Sequence, residues 1–111
     1  MAEEGATNIE PGLAQLLEAL VALSDVPSAY ALMQDLCTPR ELEDMAQRLQ
    51  VARMLDAGVS YVRIQSATGA SATTVARVAR CLKYGPGGYR GVLAGLPPYR
   101  EEPSAGDAAA V

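Results

Sequence analysis

The chain has 111 residues, half of them hydrophobic, and a formal net charge of −4 at pH 7. This length allows one small domain, and the aromatic residues are five tyrosines, so a core must consist mainly of aliphatic side chains. No apolar run approaches the ~18 residues of a membrane span, and the N-terminal segment is acidic rather than signal-like, so a soluble cytoplasmic protein is expected. A domain this small buries a modest part of its surface, which favours dimerisation.

The first part of the chain predicts a tail and two short helices. Residues 1–10 are small and polar and are expected to form a disordered tail. From Pro11, leucines spaced three and four residues apart predict an amphipathic helix that ends before Pro27. A second short helix follows, with apolar positions that include Tyr30 and Leu36.

The next boundary carries the clearest helix-start signal. Thr38 is the expected N-cap, Pro39 takes the first helical position, and Glu41 stands three residues after the cap. The threonine hydroxyl and the glutamate carboxylate can each accept a backbone N–H of the other residue, which is a capping box. The long helix is expected to run to Gly58. Its predicted inward residues are Leu42, Met45, Leu49, Ala52 and Leu55.

Residues 58–84 predict two helices joined by a tight turn at residues 69–71, Gly-Ala-Ser. Ser60 and Ser71 are the expected caps of the two helices. The predicted apolar contacts are Val62, Ile64 and Ala67 in the first helix and Val75, Val78 and Leu82 in the second. This arrangement is typical of a helix-turn-helix, here spanning residues 60–83, whose second helix enters the DNA major groove. An ordinary helical hairpin is the alternative, but it does not explain why the second helix lacks acidic residues.

The end of the chain predicts one more helix and a second tail. The run Gly-Pro-Gly-Gly at residues 85–88 interrupts the helical periodicity. Residues 89–96 can form a short helix that carries Val92, Leu93 and Leu96. Residues 97–111 are expected to form a flexible tail, so the predicted domain covers residues 11–96.

Positive charge is concentrated in one part of this acidic chain. Residues 58–90 contain no carboxylate and five cations, which are Arg63, Arg77, Arg80, Lys83 and Arg90. Each cation alone is as easily a solvated surface residue. Because the local field decides where a polyanion binds, the five together favour a nucleic-acid partner despite the acidic net charge.

The second helix of the motif suggests how DNA would be read. Small residues at its start allow a close approach to base edges, and threonine can hydrogen-bond to a base. Arg77 can pair with a guanine edge or a phosphate, and the sequence leaves both open. Arg63, Arg80 and Lys83 are expected to bind phosphates. The predicted DNA-binding residues are Arg63, Ser71, Ala72, Thr73, Thr74, Arg77, Arg80 and Lys83.

Other classes of function have less support. The chain has no histidine, and Cys37 and Cys81 lack the spacing of a metal site, so two free thiols, no metal and no cofactor are expected. No pair of carboxylates and no cysteine with a neighbouring base suggests an enzyme. The alternative from another class is a dimeric helical protein-interaction module without direct DNA binding, which the acidic net charge favours.

Residues 37–96 resemble the tryptophan-repressor superfamily, in particular its small YerC/YecD branch. The resemblance rests on residues 38–39 (Thr-Pro), Arg48, residues 58–61 (Gly-Val-Ser-Tyr), residues 68–71 (Thr-Gly-Ala-Ser), and residues 74–82 followed by Tyr84 and Gly85. It implies an all-α, intertwined homodimer in which helices of both subunits share one core, with a helix-turn-helix at each end. Such dimers regulate transcription by binding pseudo-palindromic operators.

The founding repressor of this superfamily holds tryptophan between its long helix and its recognition helix. Thr38, Arg48 and Arg77 match positions that surround that ligand. Where the tryptophan-binding member has a glycine after the second arginine, this chain has Val78, which adds three carbon atoms. We therefore expect protein atoms to fill the pocket, tryptophan not to be the effector, and Arg48 to lie at the surface or in an ion pair.

Overall fold

The structure is a computed structural model that describes residues 8–100, and all regular structure in this range is α-helical. Its helices are α1 (Pro11–Ala22), α2 (Val26–Leu36), α3 (Pro39–Asp56), α4 (Tyr61–Thr68), α5 (Ala72–Tyr84) and α6 (Gly88–Ala94). The predicted all-α class is confirmed. Most of the two predicted tails, residues 1–7 and 101–111, lies outside the described residues. None of the described helices combines the length and apolar character needed to cross a bilayer.

The chain divides into two compact units, residues 1–42 and residues 43–111, called here the N-terminal and C-terminal units. The described part of the N-terminal unit contains α1, α2 and the start of α3. The C-terminal unit contains the rest of α3 and the three following helices.

Carboxylates cap the first two helices. Glu10 accepts hydrogen bonds from the backbone N–H groups of Gly12 and Leu13 at 2.8 and 2.9 Å, and Asp25 accepts one from the backbone N–H of Ser28 at 2.8 Å. These backbone bonds favour the charged carboxylates and lower the pKa of both groups. Glu10 falls in the predicted N-terminal tail, but in the structure it caps α1.

The capping box predicted at the start of α3 is confirmed. The backbone N–H of Thr38 donates to Glu41 Oε1 at 2.8 Å, and the backbone N–H of Glu41 donates to Thr38 Oγ1 at 3.1 Å. The bond from the Thr38 backbone also lowers the pKa of the Glu41 carboxyl. The N-terminal unit therefore starts all three of its helices with a carboxylate near free amide groups.

None of the residues of α1 and α2 is buried. Of the leucines predicted as the apolar stripe of α1, Leu16 and Leu20 are half-buried, whereas Leu13 and Leu17 are 47 and 40% exposed. Val21, which was not part of that prediction, is 85% exposed. On α2, Val26 and Tyr30 are also exposed. The apolar faces of these helices are thus left largely open by the described part of the chain.

The buried residues of the described chain all lie in the C-terminal unit: Val51, Ala52, Met54, Ile64, Ala70, Val75, Val78 and Leu82. The prediction for α3 was wrong in part. Ala52 is buried as expected, whereas Val51 and Met54 are buried and were not predicted. The four other predicted residues, Leu42, Met45, Leu49 and Leu55, are half-buried. At about 100° per residue, Val51 lies nearly opposite Leu49, so α3 is apolar on two sides, and its buried side is centred near Val51 rather than near Leu49.

The two motif helices contribute unequally to this core. In α4, Ile64 is buried as predicted, but Val62 is 77% exposed and Ala67 is also exposed, so these two predictions were wrong. A helix of eight residues makes about two turns, so only one narrow row of its side chains faces the core. Ala70, in the turn after α4, is buried in the same core. In α5, the predicted inward residues Val75, Val78 and Leu82 are all buried.

The last helix and the segment after it lie on the C-terminal unit. Helix α6 is shorter than the predicted residues 89–96, and its Tyr89 and Leu93 pack against the buried core. Tyr99, from the predicted flexible tail, packs there as well. The guanidinium of Arg53 donates to the carbonyl of Pro97 at 3.2 Å. Residues 97–100 therefore contact the unit rather than standing apart from it.

Candidate nucleic-acid interface

Helices α4 and α5 form a helix-turn-helix arrangement in which serine hydroxyls cap both helices. Ser60 Oγ accepts the backbone N–H of Arg63 at 3.2 Å, and Ser71 Oγ accepts the backbone N–H of Thr74 at 3.1 Å. Both predicted caps are confirmed. A hydroxyl satisfies a free amide without adding negative charge, so the positive end of each helix dipole is not neutralised.

The turn between the two helices is held by side chains. Gly69 has φ 76° and ends α4 in the left-handed conformation that favours glycine. Thr68 Oγ1 donates to the carbonyl of Ile64 at 2.7 Å and accepts the backbone N–H of Ala70 at 3.1 Å. The Gln47 side chain, from α3, donates to the Thr68 carbonyl at 3.2 Å. These bonds and the burial of Ala70 fix the turn to the long helix.

Helix α5 has two contrasting faces. At about 100° per residue, the buried residues Val75, Val78 and Leu82 share one side of the helix. The opposite side carries Thr73, Arg77, Arg80 and Tyr84, with Ala76 and Lys83 at its flank, and all six are exposed. We call these six residues the cationic face. Burial of one side orients the other side toward solvent.

The structure places the predicted DNA-binding residues as follows. Seven of them are exposed: Arg63, Ser71, Ala72, Thr73, Arg77, Arg80 and Lys83. Thr74 is half-buried, and its hydroxyl accepts a hydrogen bond from Ser71 Oγ at 3.1 Å, so this pair serves the start of α5. The side chains of Arg77, Arg80 and Lys83 form no hydrogen bond or ion pair with other residues in the range 8–100. Contact with DNA stays a prediction for all eight.

At two residues the structure differs from what the sequence predicts. Arg90, one of the five cations counted there, lies away from the cationic face: its Nε donates to the carbonyl of Leu82 at 3.0 Å, and its Nη1 is 3.7 Å from Asp56 Oδ1. Tyr84 was not predicted, yet it is 81% exposed on that face, and its spacing of four residues from Arg80 could have indicated this.

The sign of the charge is uniform over a long stretch that includes the motif. Residues 57–100 contain no carboxylate and six cations, which are Arg63, Arg77, Arg80, Lys83, Arg90 and Arg100. The acidic residues that make the net charge negative lie before and after this stretch. A polyanion that approaches the cationic face therefore meets no carboxylate from the motif itself.

The residues that match the tryptophan-surrounding positions have other roles or stand exposed. Val78 is 2% exposed and belongs to the buried core with Met54 and Ile64. Arg48 and Arg77 are both exposed. Val78, the residue that stands in place of that repressor's glycine, is thus packed in the core.

An open apolar groove of about 570 Å³ lies elsewhere on the C-terminal unit. Its lining residues are Leu49, Cys81, Pro86, Gly88, Tyr89 and Val92. Cys37 and Cys81 are both free thiols, of which Cys37 is half-buried and Cys81 is exposed. The groove shows that the second apolar side of α3, the side of Leu49, is accessible in the single chain.

Comparison with known proteins agrees with this architecture. Residues 11–96 match the family described as Trp repressor protein. YerC of Bacillus subtilis (strain 168), an uncharacterised protein, is 46% identical over 81 residues, which are 73% of this chain and 78% of YerC. The crystal structure of a candidate Trp repressor from Staphylococcus aureus has a TM-score of 0.78 and 32% identity, covering 86% of this chain and 96% of its own.

A TrpR-like protein from Eubacterium eligens ATCC 27750 has a TM-score of 0.74 and 38% identity, covering 79% of this chain and 94% of its own. The family match spans every described helix, and the relatives align over most of their length. The resemblance noted in the sequence is therefore confirmed. The chain belongs to the Trp repressor family, in its YerC-like branch.

Proposed function

We propose that the protein is a sequence-specific DNA-binding transcriptional regulator that acts as a homodimer and is not an enzyme. The observation that carries this proposal is the cationic face of α5, which stands opposite the buried face of the same helix. Membership of the Trp repressor family supports it. We call α5 the recognition helix, because a helix exposed in this way can lie in the major groove.

The residues of the motif divide into two roles. Ala72 and Thr73, exposed at the start of the recognition helix, read base edges, where the threonine hydroxyl can hydrogen-bond and both methyl groups can contact thymine. Arg77, one turn further, binds a guanine edge or a phosphate. Arg80 and Lys83 bind phosphates near the other end of the helix. Arg63 of α4 and the capped start of the recognition helix add phosphate contacts.

Apolar surface that the single chain leaves open supports the proposed dimerisation. Helices α1 and α2, of 12 and 11 residues, bury none of their side chains, and isolated helices of this length are marginal in water. Leu13, Leu17 and Val21 offer one apolar stripe, and the groove beside Leu49 offers another apolar surface. A second copy of the chain supplies partners for both. The resulting pair of recognition helices fits a pseudo-palindromic operator.

Tryptophan does not control this regulator. The effector of the founding repressor needs space beside the recognition helix, and Val78, only 2% exposed, takes part in the core at that position. Adding tryptophan at about 1 mM is expected to leave the affinity for DNA unchanged.

The test is to select bound duplexes from random DNA and to measure affinity by fluorescence anisotropy at several salt concentrations. Affinity is expected to fall with salt, with a slope of about 0.9 per phosphate contact on logarithmic axes. Arg77→Ala weakens binding, whereas Arg48→Ala, which removes an exposed arginine outside the motif, leaves it nearly unchanged. Absence of binding at low salt contradicts the proposal, and capture of a stoichiometric protein partner would then favour the interaction module.

A further inference from the structure

The last turn of the recognition helix has a carbonyl that the helix itself cannot satisfy. The carbonyl of Cys81 accepts the backbone N–H of Gly85 at 2.9 Å, which is the regular helical bond. For Leu82 the corresponding donor would be residue 86, but Pro86 has no N–H. Arg90 supplies the missing donor, because its Nε lies 3.0 Å from the Leu82 carbonyl and this contact is partly buried.

The same guanidinium reaches the end of the long helix. Arg90 Nη1 is 3.7 Å from Oδ1 of Asp56, the last residue of α3. At least half of each side chain is exposed in this pair, so solvent weakens the ion pair. The partly buried bond to Leu82 is the stronger contact. Together the two contacts connect the ends of α3 and α5 through one side chain of α6.

The glycines after α5 allow this return of the chain. A Cβ atom at Gly85 would stand 2.5 Å from the Cys81 carbonyl oxygen, closer than real Cβ contacts allow. Gly87 has φ 92°, a conformation that favours glycine, and it starts α6. Residues 85–87 thus reverse the chain within a few residues and bring Arg90 back to the helix that has just ended.

We propose that Arg90 is a positioning residue for DNA recognition, holding the end of the recognition helix against α3 rather than binding phosphate. The inference rests on the proposed function, since it assigns a role within the same interface. In a homodimer, the orientation of each recognition helix sets the separation of the two reading surfaces. Loss of the Arg90 contacts lets the end of α5 shift, and the dimer then tolerates operators with altered half-site spacing.

The first measurement compares affinities for the selected operator and for operators whose half-sites are moved by one base pair. Arg90→Met keeps the reach of the side chain to the Nε position but has no N–H group there, so it leaves a partly buried carbonyl without its donor and is expected to reduce the ratio of these affinities about fivefold. The salt dependence of this variant's DNA affinity is expected to equal that of the wild type. Arg80→Met, the matched control, keeps the ratio but lowers the salt slope by about 0.9. Asp56→Asn removes only the exposed ion pair and changes the ratio less than about twofold.

The ratio of affinities for the two kinds of operator distinguishes a positioning role of Arg90 from a general loss of stability. Global destabilisation lowers the folded fraction and weakens binding to every duplex equally, so it does not move the ratio. A second measurement, hydrogen exchange in free protein, follows the backbone N–H of Gly85, which closes the last turn of α5. Arg90→Met is expected to accelerate its exchange several-fold, with the amide groups of α4 unchanged.

Three results would overturn the inference. An unchanged ratio in Arg90→Met means that the residue does not position the helix, and unchanged exchange at Gly85 means that the contact does not hold the last turn. A salt slope lowered as in Arg80→Met means that Arg90 binds phosphate. In each of these cases the wild type still binds its operator. If the wild type binds no duplex, the proposed function fails first, and the role in recognition fails with it.

Discussion

The N-terminal and C-terminal units start their helices with different chemistry. In the first, carboxylates of Glu10, Asp25 and Glu41 accept backbone amides, and in the second, the hydroxyls of Ser60 and Ser71 do so. Both groups satisfy free N–H groups, but a carboxylate also cancels the positive end of the helix dipole. The motif uses the neutral cap, which leaves its helix starts attractive to phosphate. The helices of the N-terminal unit therefore have charged caps, whereas the recognition helix, which is proposed to bind an anion, has a neutral one.

The units also differ in where their apolar side chains go. The C-terminal unit buries a core of its own around Met54, Ile64 and Val75, each with no exposed surface. In the N-terminal unit no described residue is buried, and several apolar residues are exposed, Val21 most of all. The C-terminal unit has a core of its own, whereas the N-terminal unit depends on a surface from outside the described chain. Four substitutions test this comparison, from the largest expected effect to the smallest.

Removing a core side chain from the C-terminal unit gives the largest effect. Ile64→Ala leaves a cavity in the core and is expected to lower the free energy of unfolding by about 3 kcal/mol. The control is Val62→Ala in the same helix, where the side chain is 77% exposed and the cost is about 0.5 kcal/mol or less. Urea unfolding monitored by circular dichroism measures both. Equal costs at the two positions would contradict the burial pattern of α4.

Charging the open stripe of the N-terminal unit tests what covers it. Val21→Glu places a carboxylate where a second copy is proposed to pack and is expected to raise the dimer dissociation constant at least about tenfold. Gln15→Glu adds the same charge to the other side of α1 and is expected to leave assembly unchanged. Sedimentation across a range of concentrations measures the monomer–dimer equilibrium. If Val21→Glu assembles like the wild type, the stripe is not a dimer contact.

Exchanging the caps tests the first difference between the units. Ser71→Asp keeps a capping oxygen but puts a negative charge at the proposed DNA-facing start of α5. DNA affinity is expected to fall about fivefold at low salt, since like charges ~4 Å apart in water repel by ~1 kcal/mol. The reverse exchange, Asp25→Ser, removes a charge far from the motif in sequence and is expected to leave affinity unchanged. Anisotropy titrations compare the two, and an equal response would mean that cap charge is irrelevant to binding.

Local signals explain how much of this architecture could be predicted from the sequence. The capping box at Thr38 and the hydroxyl cap at Ser71 are decided by residues three apart, so the sequence contains the whole interaction. The buried side of α3 was predicted only in part, with Ala52 but without Val51 and Met54, because that helix is apolar on two sides and periodicity does not say which side α4 and α5 cover. The role of Arg90 was missed for a related reason. Its contact with Leu82 requires the chain reversal after α5, although Pro86 already indicated that a donor was lacking.

The smallest expected effect is the pH dependence of the stability that a carboxylate cap contributes. The backbone N–H of Thr38 lowers the pKa of Glu41 in the folded protein, so this bond stabilises the fold at pH above the unfolded value of about 4.3. The stabilisation is lost as the pH falls through the lower folded pKa. Glu41→Gln keeps a capping side chain but cannot titrate.

Thermal unfolding measured from about pH 7 to pH 2.5 is therefore expected to show a small advantage of the wild type over Glu41→Gln at neutral pH, which disappears in acid as the carboxylate is protonated. Glu43→Gln, at an exposed position of the same helix, is the matched control for the loss of one negative charge. The hydroxyl-capped helices have no such group at their starts, so acid is expected to weaken the start of α3 before that of α5. An identical pH dependence for the wild type and both variants would mean that the charge of Glu41 does not contribute to its cap.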